Sequence, residues 1–353
     1  MVYLNGVEVM RSNMPGGTVR FDTRASVAIG GGAETTFYHT TLPATQLVSG
    51  RNVLAVEIHQ ANPTSSDISF DLSLRGIPGS GSVRFAAIGD YGNASANEAA
   101  VAALVKGWHP DFIITLGDNN YNNGGASTID GNIGQFYSDY IFPYTGSFGA
   151  GASENRFFPA LGNHDWRTRS GVPSVPQPYL DYFSLPAGPG NERYYDFVQG
   201  PVHFFVVDSD PHEPDGTSST SVQGQWLQSQ LAAASEPWKI VTMHHPPYSS
   251  GSHGSQVYMQ WPFAAWGASV VMAGHDHMYE RFWRDDIPYF LNGAGGKSLY
   301  NFKALEEGSL AQHKRYGAML IQSDSCSMLV QFMAPDGAVL DSSRFYSSAS
   351  GCP

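Results

Sequence analysis

Cysteine and charged residues are scarce in this sequence. It contains two cysteines, Cys326 and Cys352, too few for a metal site built from a cluster of thiolates. Charged residues make up 14% of the chain, whereas about 25% is ordinary for a soluble domain. The formal net charge is −12, and surfaces that bind nucleic acid or anionic membranes need a basic face. We therefore expect neither nucleic acid nor a membrane as a partner.

Long hydrophobic runs are also missing. No stretch approaches the roughly 18 consecutive apolar residues of a transmembrane helix, and the opening segment MVYLNGVEVM does not have the pattern of a signal peptide. Two alternatives follow: a cytosolic protein, or one whose leader is absent from this chain. Few lysines and loops rich in Gly, Ser and Thr favour the second alternative, a secreted or periplasmic protein. Cys326 and Cys352 flank a predicted hairpin, so a disulfide between them would suit an oxidising compartment, with two unrelated thiols as the alternative.

The first part of the chain has the alternating pattern of β-strands. Residues 2–77 alternate apolar and polar positions in VYLNGVEV, NVLAVEIHQ and ISFDLSL, and Asn5-Gly6 is a hairpin signal. This predicts a small antiparallel module over 1–77, with a linker at 78–82. The module resembles the latter part of a jelly-roll, carbohydrate-binding-like domain whose front strands are missing. Its exposed edge is expected to pair with the larger domain or with another chain, as in self-association.

From Val83 the pattern changes to strands with intervening helices. A strand at VRFAAIGD leads to a possible capping box at Ser95 and Glu98 and to a helical apolar stripe. Further strands and a helix around Gln225 to Ala234 follow, and consecutive strands end the chain. We predict an α/β domain over 83–353, with mixed β-sheets sandwiched between helices. The segment from Asn122 to Glu154 is predicted to be largely irregular and functional.

Five short segments follow apolar runs that are typical of strands. They are GDYG with Asp90, GDNNY from Gly117 to Tyr121, GNHD from Gly162 to Asp165, His244, and GHDH from Gly274 to His277. A single Gly-Asp pair after a strand is more often an ordinary turn. Five such segments gather carboxylate, phenol, amide and imidazole groups at strand ends, which indicates a two-metal hydrolytic centre.

This pattern resembles the purple acid phosphatases, a branch of the calcineurin-like metallophosphoesterases, from about Val83 to the C-terminus. The resemblance implies hydrolysis of phosphomonoesters, in which a metal-bound hydroxide attacks phosphorus in line, with small phosphorylated molecules as substrates. It also implies the ligands. The first metal would be held by Asp90, Asp118, Tyr121 and His277, and the second by Asp118, Asn163, His244 and His275, so that Asp118 bridges both.

Two positions distinguish this branch. Most calcineurin-like enzymes carry a histidine two residues after the first aspartate and an aspartate three residues after the second, whereas this chain has Gly92 and Tyr121. A hard phenolate oxygen suits Fe(III) better than Zn(II). The resemblance thus implies Fe(III) in the first site and Fe(II), Zn(II) or Mn(II) in the second.

Five further residues in or near these segments have expected roles. The resemblance implies that His164 and His253 contact the substrate phosphate, where they could stabilise charge or protonate the leaving oxygen. His245 is expected to be structural or to support a neighbouring ligand. Asp165 and Asp276 have no expected ligand role and are expected to orient neighbouring imidazoles.

Two other functions stay open at this point. One is a phosphodiesterase or nucleotidase that uses Mn or Zn. A visible absorption band from ferric tyrosinate would distinguish the Fe(III) phosphomonoesterase from this enzyme. The other is a glycan-binding protein with a vestigial site, which the complete ligand set argues against. The N-terminal module could equally be a scaffold that packs on the catalytic domain or pairs chains.

Overall fold

The computed structural model of the chain describes residues 1–31, 38, 40, 42, 46–48, 51–64, 70, 72, 81–166, 176–347 and 352. The chain divides into two compact units, residues 1–79 and 80–353. Most of the predicted linker, at residues 78–80, lies outside the described residues, as does most of the predicted strand ISFDLSL.

The N-terminal unit contains a small antiparallel sheet. Its described strands are β1 (Val2–Leu4), β2 (Val7–Met10) and β3 (Leu54–Val56), in the order β2-β1-β3. Asn5 and Gly6 both have positive φ, 51° and 82°, as a tight two-residue hairpin turn requires. The predicted hairpin and antiparallel sheet are therefore confirmed, and the jelly-roll resemblance stays a prediction.

The larger unit is built from two mixed sheets. Its described strands are β4 (Val83–Ile88), β5 (Phe112–Thr115), β6 (Phe157–Phe158), β7 (Tyr195–Gln199), β8 (Val202–Val206), β9 (Trp238–Thr242), β10 (Val270–Ala273), β11 (Tyr279–Arg284), β12 (Ile287–Asn292), β13 (Ser309–His313), β14 (Ala318–Ser323), β15 (Ser327–Met333) and β16 (Val339–Tyr346). One sheet has the order β16-β15-β14-β4-β5-β6 and the other β13-β11-β12-β10-β9-β8-β7. Parallel strands lie at the centre of both sheets, where burial on both faces selects continuous apolar runs.

The helices of this unit are short, apart from two of 12 residues each. The described helices are α1 (Ala96–Gly107), α2 (Ala126–Ile129), a π-helical turn (Asp130–Gly134), α3 (Gln135–Tyr137), a 3₁₀ turn (Ser138–Tyr140), α4 (Asn163–Trp166), α5 (Gln177–Tyr182), α6 (Val222–Ala233) and a second 3₁₀ turn (Val257–Met259). Residues 126–140 are thus helical, so the prediction of a largely irregular segment was wrong there. Ile129, Ile133 and Tyr137 recur every fourth residue and are buried, an apolar stripe that frequent Gly and Asn residues obscure in the sequence.

The core lies between the two sheets. The ring of Phe204 in β8 packs edge to face against Phe85 of β4 and Phe112 of β5, with centroids 5.1 and 5.4 Å apart. Helix α6 buries Leu227 and Leu231 against the other face of the seven-stranded sheet, and α1 contacts β14 of the six-stranded sheet. The predicted arrangement of mixed sheets between helical layers is therefore confirmed.

The C-terminal strands end in a covalent link. Cys326 and Cys352 form a disulfide, which attaches residue 352, beyond the end of β16, to the residue that precedes β15. Among the two alternatives that the sequence left open, the structure therefore supports the bonded one. No helix in the described part of the chain is both long and apolar enough to span a membrane.

Helix α1 begins with a variant of the predicted capping box. Ser95 Oγ accepts a hydrogen bond from Glu98 N at 3.2 Å, and Glu98 Oε2 in turn accepts from the backbone N–H groups of Asn93 and Ala94 at 2.9 and 2.7 Å. Glu98 is fully buried, and its Oε1 has no hydrogen-bond partner within the described residues. Burial raises the pKa of this carboxyl group to about 8.

We expect the pH dependence of stability to reveal this group. Since the folded state keeps the Glu98 proton up to about pH 8, the unfolding free energy of the wild type should fall between about pH 4.5 and 8, by up to about 1.4 kcal/mol per pH unit. Glu98→Gln keeps a carbonyl acceptor without a titrating group, so this fall of the unfolding free energy with pH should be absent from the variant. Urea titrations at a series of pH values measure the difference, and parallel curves for the two proteins would contradict the assignment.

Candidate metal centre

The predicted ligands gather at the carboxyl ends of central strands from both sheets. Asp90 follows β4 and Asp118 follows β5 in the six-stranded sheet, whereas His244 follows β9 and His275 follows β10 in the seven-stranded sheet. Asn163 opens helix α4 after β6. Sites in layered α/β proteins usually form at such strand ends, and this topology explains why segments far apart in the sequence meet.

The four groups predicted for the first metal converge on one phenol oxygen. Tyr121 Oη lies 3.0 Å from Asp90 Oδ1, 2.9 Å from Asp118 Oδ2 and 3.2 Å from His277 Nε2. His277 Nε2 is also 3.3 Å from Asp90 Oδ1. All four side chains are buried, so their oxygen and nitrogen atoms face one another away from bulk water.

The groups predicted for the second metal form an adjoining cluster. His244 Nε2 lies 3.1 Å from Asn163 Oδ1, 3.1 Å from His275 Nδ1 and 3.4 Å from Asp118 Oδ1. Asp118 therefore presents one carboxylate oxygen to each cluster, as a bridging ligand would. The structure brings together all seven residues predicted as ligands.

Two of the predicted histidine ligands each use one ring nitrogen, Nδ1, for a hydrogen bond to the backbone, which suits metal binding through the other. His244 Nδ1 lies 2.8 Å from the carbonyl oxygen of Leu116, and His277 Nδ1 lies 2.7 Å from that of Ser298. A carbonyl can only accept, so each Nδ1 carries a hydrogen, and Nε2 is the ring atom that faces the cluster and could ligate a cation. Lone pairs of carboxylate, amide, phenol and imidazole groups thus converge on the same space, and this donor set fits a pair of hard or borderline cations.

The backbone is strained at three of the predicted ligands. Asp90, Asp118 and His275 have φ of 55°, 53° and 75°, in the left-handed region that non-glycine residues seldom occupy and that clusters at functional sites. Neighbouring glycines make room. A Cβ atom on Gly92 would overlap the carbonyl oxygen of Asn119, and one on Gly117 would lie 2.5 Å from the His244 ring, so the loops could not approach so closely with larger residues there.

Burial sets the protonation of the cluster in the absence of a cation. It raises the pKa of Tyr121 well above its usual value, and the nearby charges of Asp118 and Asp90 add to this effect. Burial likewise lowers the pKa of His275, which leaves its lone pair available. A phenolate at Tyr121 therefore requires a strong positive charge nearby to displace the proton.

Asp165 and Asp276 join the loops around the cluster. Asp165 accepts hydrogen bonds from Asn119 N, Asn119 Nδ2 and Gly162 N at 2.8–3.1 Å, so it joins two predicted ligand segments. Asp276 accepts from His253 N at 3.0 Å and Gly254 N at 3.2 Å. The carboxylates thus satisfy backbone N–H groups of tight turns, which need acceptors when buried, and the expectation that they orient neighbouring imidazoles stays a prediction.

The two histidines expected to contact substrate lie at the rim of the cluster. The His164 ring is 4.3 Å from the Tyr121 ring between centroids, and its backbone N–H donates to Asp118 Oδ1 at 2.8 Å. The His253 ring is 4.3 Å from the His275 ring. His253 is exposed and His164 is partly exposed, so each imidazole can face a substrate that lies over the cluster.

Two residues near the cluster were not predicted as ligands or substrate contacts. One ring nitrogen of His245 lies within 4.8 Å of ligand atoms of His244 and His275, and His245 Nδ1 contacts Ser209 Oγ at 3.0 Å. The ammonium of Lys297 lies 4.4 Å from the centroid of the Tyr121 ring. The sequence does contain a signal for Lys297, the glycine-rich stretch NGAGGK at the end of β12. Because β12 runs parallel to β10, this stretch lies at the same end of the sheet as His275.

Comparison with known proteins identifies the family. The family model for calcineurin-like phosphoesterases matches residues 83–279, a range that holds all five predicted ligand segments. The chain belongs to the calcineurin-like phosphoesterase family. The enzyme class predicted from the sequence, a metal-dependent phosphoesterase, is confirmed by this membership.

Within this phosphoesterase family, the chain is similar to purple acid phosphatases. It is 27% identical over 249 residues to purple acid phosphatase 17 of Arabidopsis thaliana, covering 62% of this chain and 70% of the relative. It is also 27% identical over 271 residues to tartrate-resistant acid phosphatase type 5 of Rattus norvegicus, covering 67% of this chain and 80% of the relative. The recognition made from the five segments is thereby confirmed.

A solved structure supports the fold. The purple acid phosphatase from yellow lupin (Lupinus luteus) seeds superposes with a TM-score of 0.63 at 19% identity, over 77% of this chain. The match spans 55% of the lupin protein, and at this identity it bears on the fold alone.

Proposed function

We propose that this phosphoesterase hydrolyses small phosphomonoesters at a dinuclear centre of Fe(III) and a divalent metal. The observation that carries the proposal is the double cluster around Asp118, whose two oxygens lie 2.9 Å from Tyr121 Oη and 3.4 Å from His244 Nε2. One shared carboxylate between two donor sets is the arrangement that a pair of cations about 3.5–4 Å apart requires.

The donor chemistry supports different ions in the two positions. Asp90, Asp118, Tyr121 and His277 would hold Fe(III), because a trivalent ion favours the phenolate that burial alone disfavours. Asn163, His244 and His275 with Asp118 would hold Fe(II), Zn(II) or Mn(II). When bound, such ions lower the pKa of water and accept the charge that develops on phosphate oxygens.

The chain's own residues would then position the substrate and move a proton. His164 directly follows the predicted ligand Asn163, and His253 lies in the loop that Asp276 holds. The two imidazoles could therefore contact phosphate oxygens from two sides of the cluster. Either imidazole could donate a proton to the departing alcohol oxygen. Burial of the ligands keeps bulk water from competing for the same contacts.

The other functions have less support. A phosphodiesterase or nucleotidase that uses Mn or Zn would not need a phenol at the first position, yet Tyr121 lies there with three short contacts. A vestigial site in a glycan-binding protein is disfavoured because the seven predicted ligands remain together. The disulfide between Cys326 and Cys352 supports a secreted or periplasmic location, and the edge strands of the N-terminal sheet support a role in pairing.

Metal analysis with a visible spectrum tests this proposal. We expect purified protein to contain iron and a second metal in roughly equal amounts, to absorb visible light through Fe(III)–tyrosinate charge transfer, and to release 4-nitrophenol from its phosphate ester. Tyr121→Phe should abolish the visible band. A colourless, fully metallated and active protein would instead favour the Mn or Zn enzyme, and glycan affinity without hydrolysis would favour the binding protein.

A further inference from the structure

Three polar residues follow strand β8 at the same end of the seven-stranded sheet as two of the predicted ligands. Asp208 lies two residues beyond β8, just as His244 lies two residues beyond the parallel neighbour β9. Asp208, Ser209 and Asp210 are buried, although none of them belongs to the predicted ligand set. Burying a carboxylate is costly unless hydrogen bonds replace its lost contacts with water. The partners of Asp208 therefore indicate what this segment contributes.

Asp208 connects two helices. Its Oδ2 atom accepts a hydrogen bond from Trp166 Nε1 at 2.8 Å, and its Oδ1 atom accepts from Asp210 N at 2.9 Å. The backbone N–H group of Asp208 donates to Gln223 Oε1 at 2.7 Å, and its carbonyl oxygen accepts from Gln223 Nε2 at 2.8 Å. Gln223 lies in helix α6 and Trp166 in helix α4. Asp208 is thus held by α6 and itself holds α4.

Helix α4 depends on such outside contacts because it is four residues long, and a helix of that length is unstable without tertiary packing. Its first residue, Asn163, is a predicted ligand. His164 follows, with its Nδ1 atom 2.6 Å from the carbonyl oxygen of Asn122. Trp166, at the other end, is 4% exposed and bonded to Asp208. The contact between Trp166 and Asp208 therefore constrains the far end of the helix, and with it the direction of the His164 imidazole.

We propose that Asp208 is a positioning residue, which acts through Trp166 to orient helix α4 so that the His164 imidazole faces the substrate phosphate. The inference rests on the proposed function, in which His164 contacts that phosphate. A small displacement of a group that acts in the transition state lowers the rate of the reaction. Asn163 would remain held by the cation that it shares with His244. Loss of the contact should therefore lower kcat without removing metal.

The first test breaks this contact from either side. Asp208→Ala removes the acceptor, and Trp166→Phe removes the donor but keeps a ring in the core, so Trp166→Phe decides the question if Asp208→Ala does not fold. We expect each variant to bind both metals and to lower kcat for 4-nitrophenyl phosphate by about tenfold. Tyr194→Phe is the matched control, because it removes a phenol that donates at 2.9 Å to Asp215, another carboxylate after β8. Its kcat should equal that of the wild type.

Combined substitutions separate positioning of His164 from general loosening of the domain. In a His164→Ala background, Trp166→Phe should leave kcat unchanged within about twofold, because the group that it misplaces is absent. In a His253→Ala background, the loss caused by Trp166→Phe should remain as large as in the wild type. Equal losses in all three backgrounds, or loss of metal from Trp166→Phe, would overturn the inference, while hydrolysis by the wild type would still support the proposed function.

Chemical modification gives a readout that does not depend on turnover. Diethyl pyrocarbonate modifies accessible imidazoles, and the His164 side chain is 18% exposed. In the metallated protein, peptide mass spectrometry should find His164 modified faster in Asp208→Ala and Trp166→Phe than in the wild type, whereas the exposed His109 should react equally in all three. Equal rates at His164 would likewise overturn the inference. A wild type that releases no 4-nitrophenol would overturn both the inference and the proposed function.

Discussion

Changing Asp118 to Asn should remove the metals and lower kcat/KM for 4-nitrophenyl phosphate by at least about a thousandfold, more than the loss of a single transition-state hydrogen bond. Asp118 is 1% exposed, and its two oxygens face Tyr121 and His244 in the two clusters. An amide has no negative charge and presents one good oxygen donor, so it could not bridge two cations. Elemental analysis and steady-state kinetics on the same preparation measure both losses.

Asp336 offers a control for this substitution. Its side chain is 59% exposed and pairs with Arg315 at 2.9 Å, in the turn between β15 and β16. Asp336→Asn makes the same chemical change and should keep metal and activity. If Asp118→Asn retained two metals per chain and wild-type turnover, the assignment of the whole centre would be wrong.

Changing His253 to Ala should reduce kcat by about a hundredfold, the lower range for loss of a general acid or base, while both metals stay bound. The His253 ring lies 4.3 Å from the ring of the predicted ligand His275, but its loop is held by Asp276 through backbone N–H groups. Removing the imidazole therefore leaves the loop contacts intact. Kinetics across a pH series, with metal analysis of the same sample, measure the effect.

His212→Ala is the matched control, because the His212 side chain is 62% exposed and pairs with Asp210 at 2.7 Å. Its turnover should equal that of the wild type. The decisive result is the comparison of the two variants: an equal and small loss in both would show that His253 is merely a solvated loop residue, and loss of metal in His253→Ala would indicate a structural role.

Strong local patterns made much of the fold predictable. The continuous apolar runs of β4, β5, β9 and β10 predict buried strands, and the polar residues that follow them predict the ligands. The strands β7, β11 and β13 were not predicted, because β7 and β13 lie at sheet edges and YERFWR in β11 carries three charges. Strands that are covered on fewer sides retain weaker hydrophobic periodicity.

Long-range pairing made the rest of the site unpredictable. Lys297 reaches Tyr121 because β12 pairs with β10 and because Asn292, at the end of β12, donates to the carbonyl oxygen of Ala87 in β4 at 3.1 Å. The stretch NGAGGK marks a close approach of the backbone but does not encode these pairings. The same holds for Asp276, whose partners are 22 and 23 residues away in the sequence. A motif identifies residues that would bind an ion, whereas the groups that position those residues depend on the packing of the whole domain.

The origin of the ligands in two separate sheets has a mechanical consequence. Asp90 and Asp118 emerge from one sheet, and His244 and His275 from the other. The proposed second cation, held by Asp118 from one sheet and by His244 and His275 from the other, would link the two layers at the open end of the sandwich, where apolar packing gives way to polar loops. Its binding would therefore also oppose separation of the two layers, so that part of its binding free energy would be measured as stability against unfolding.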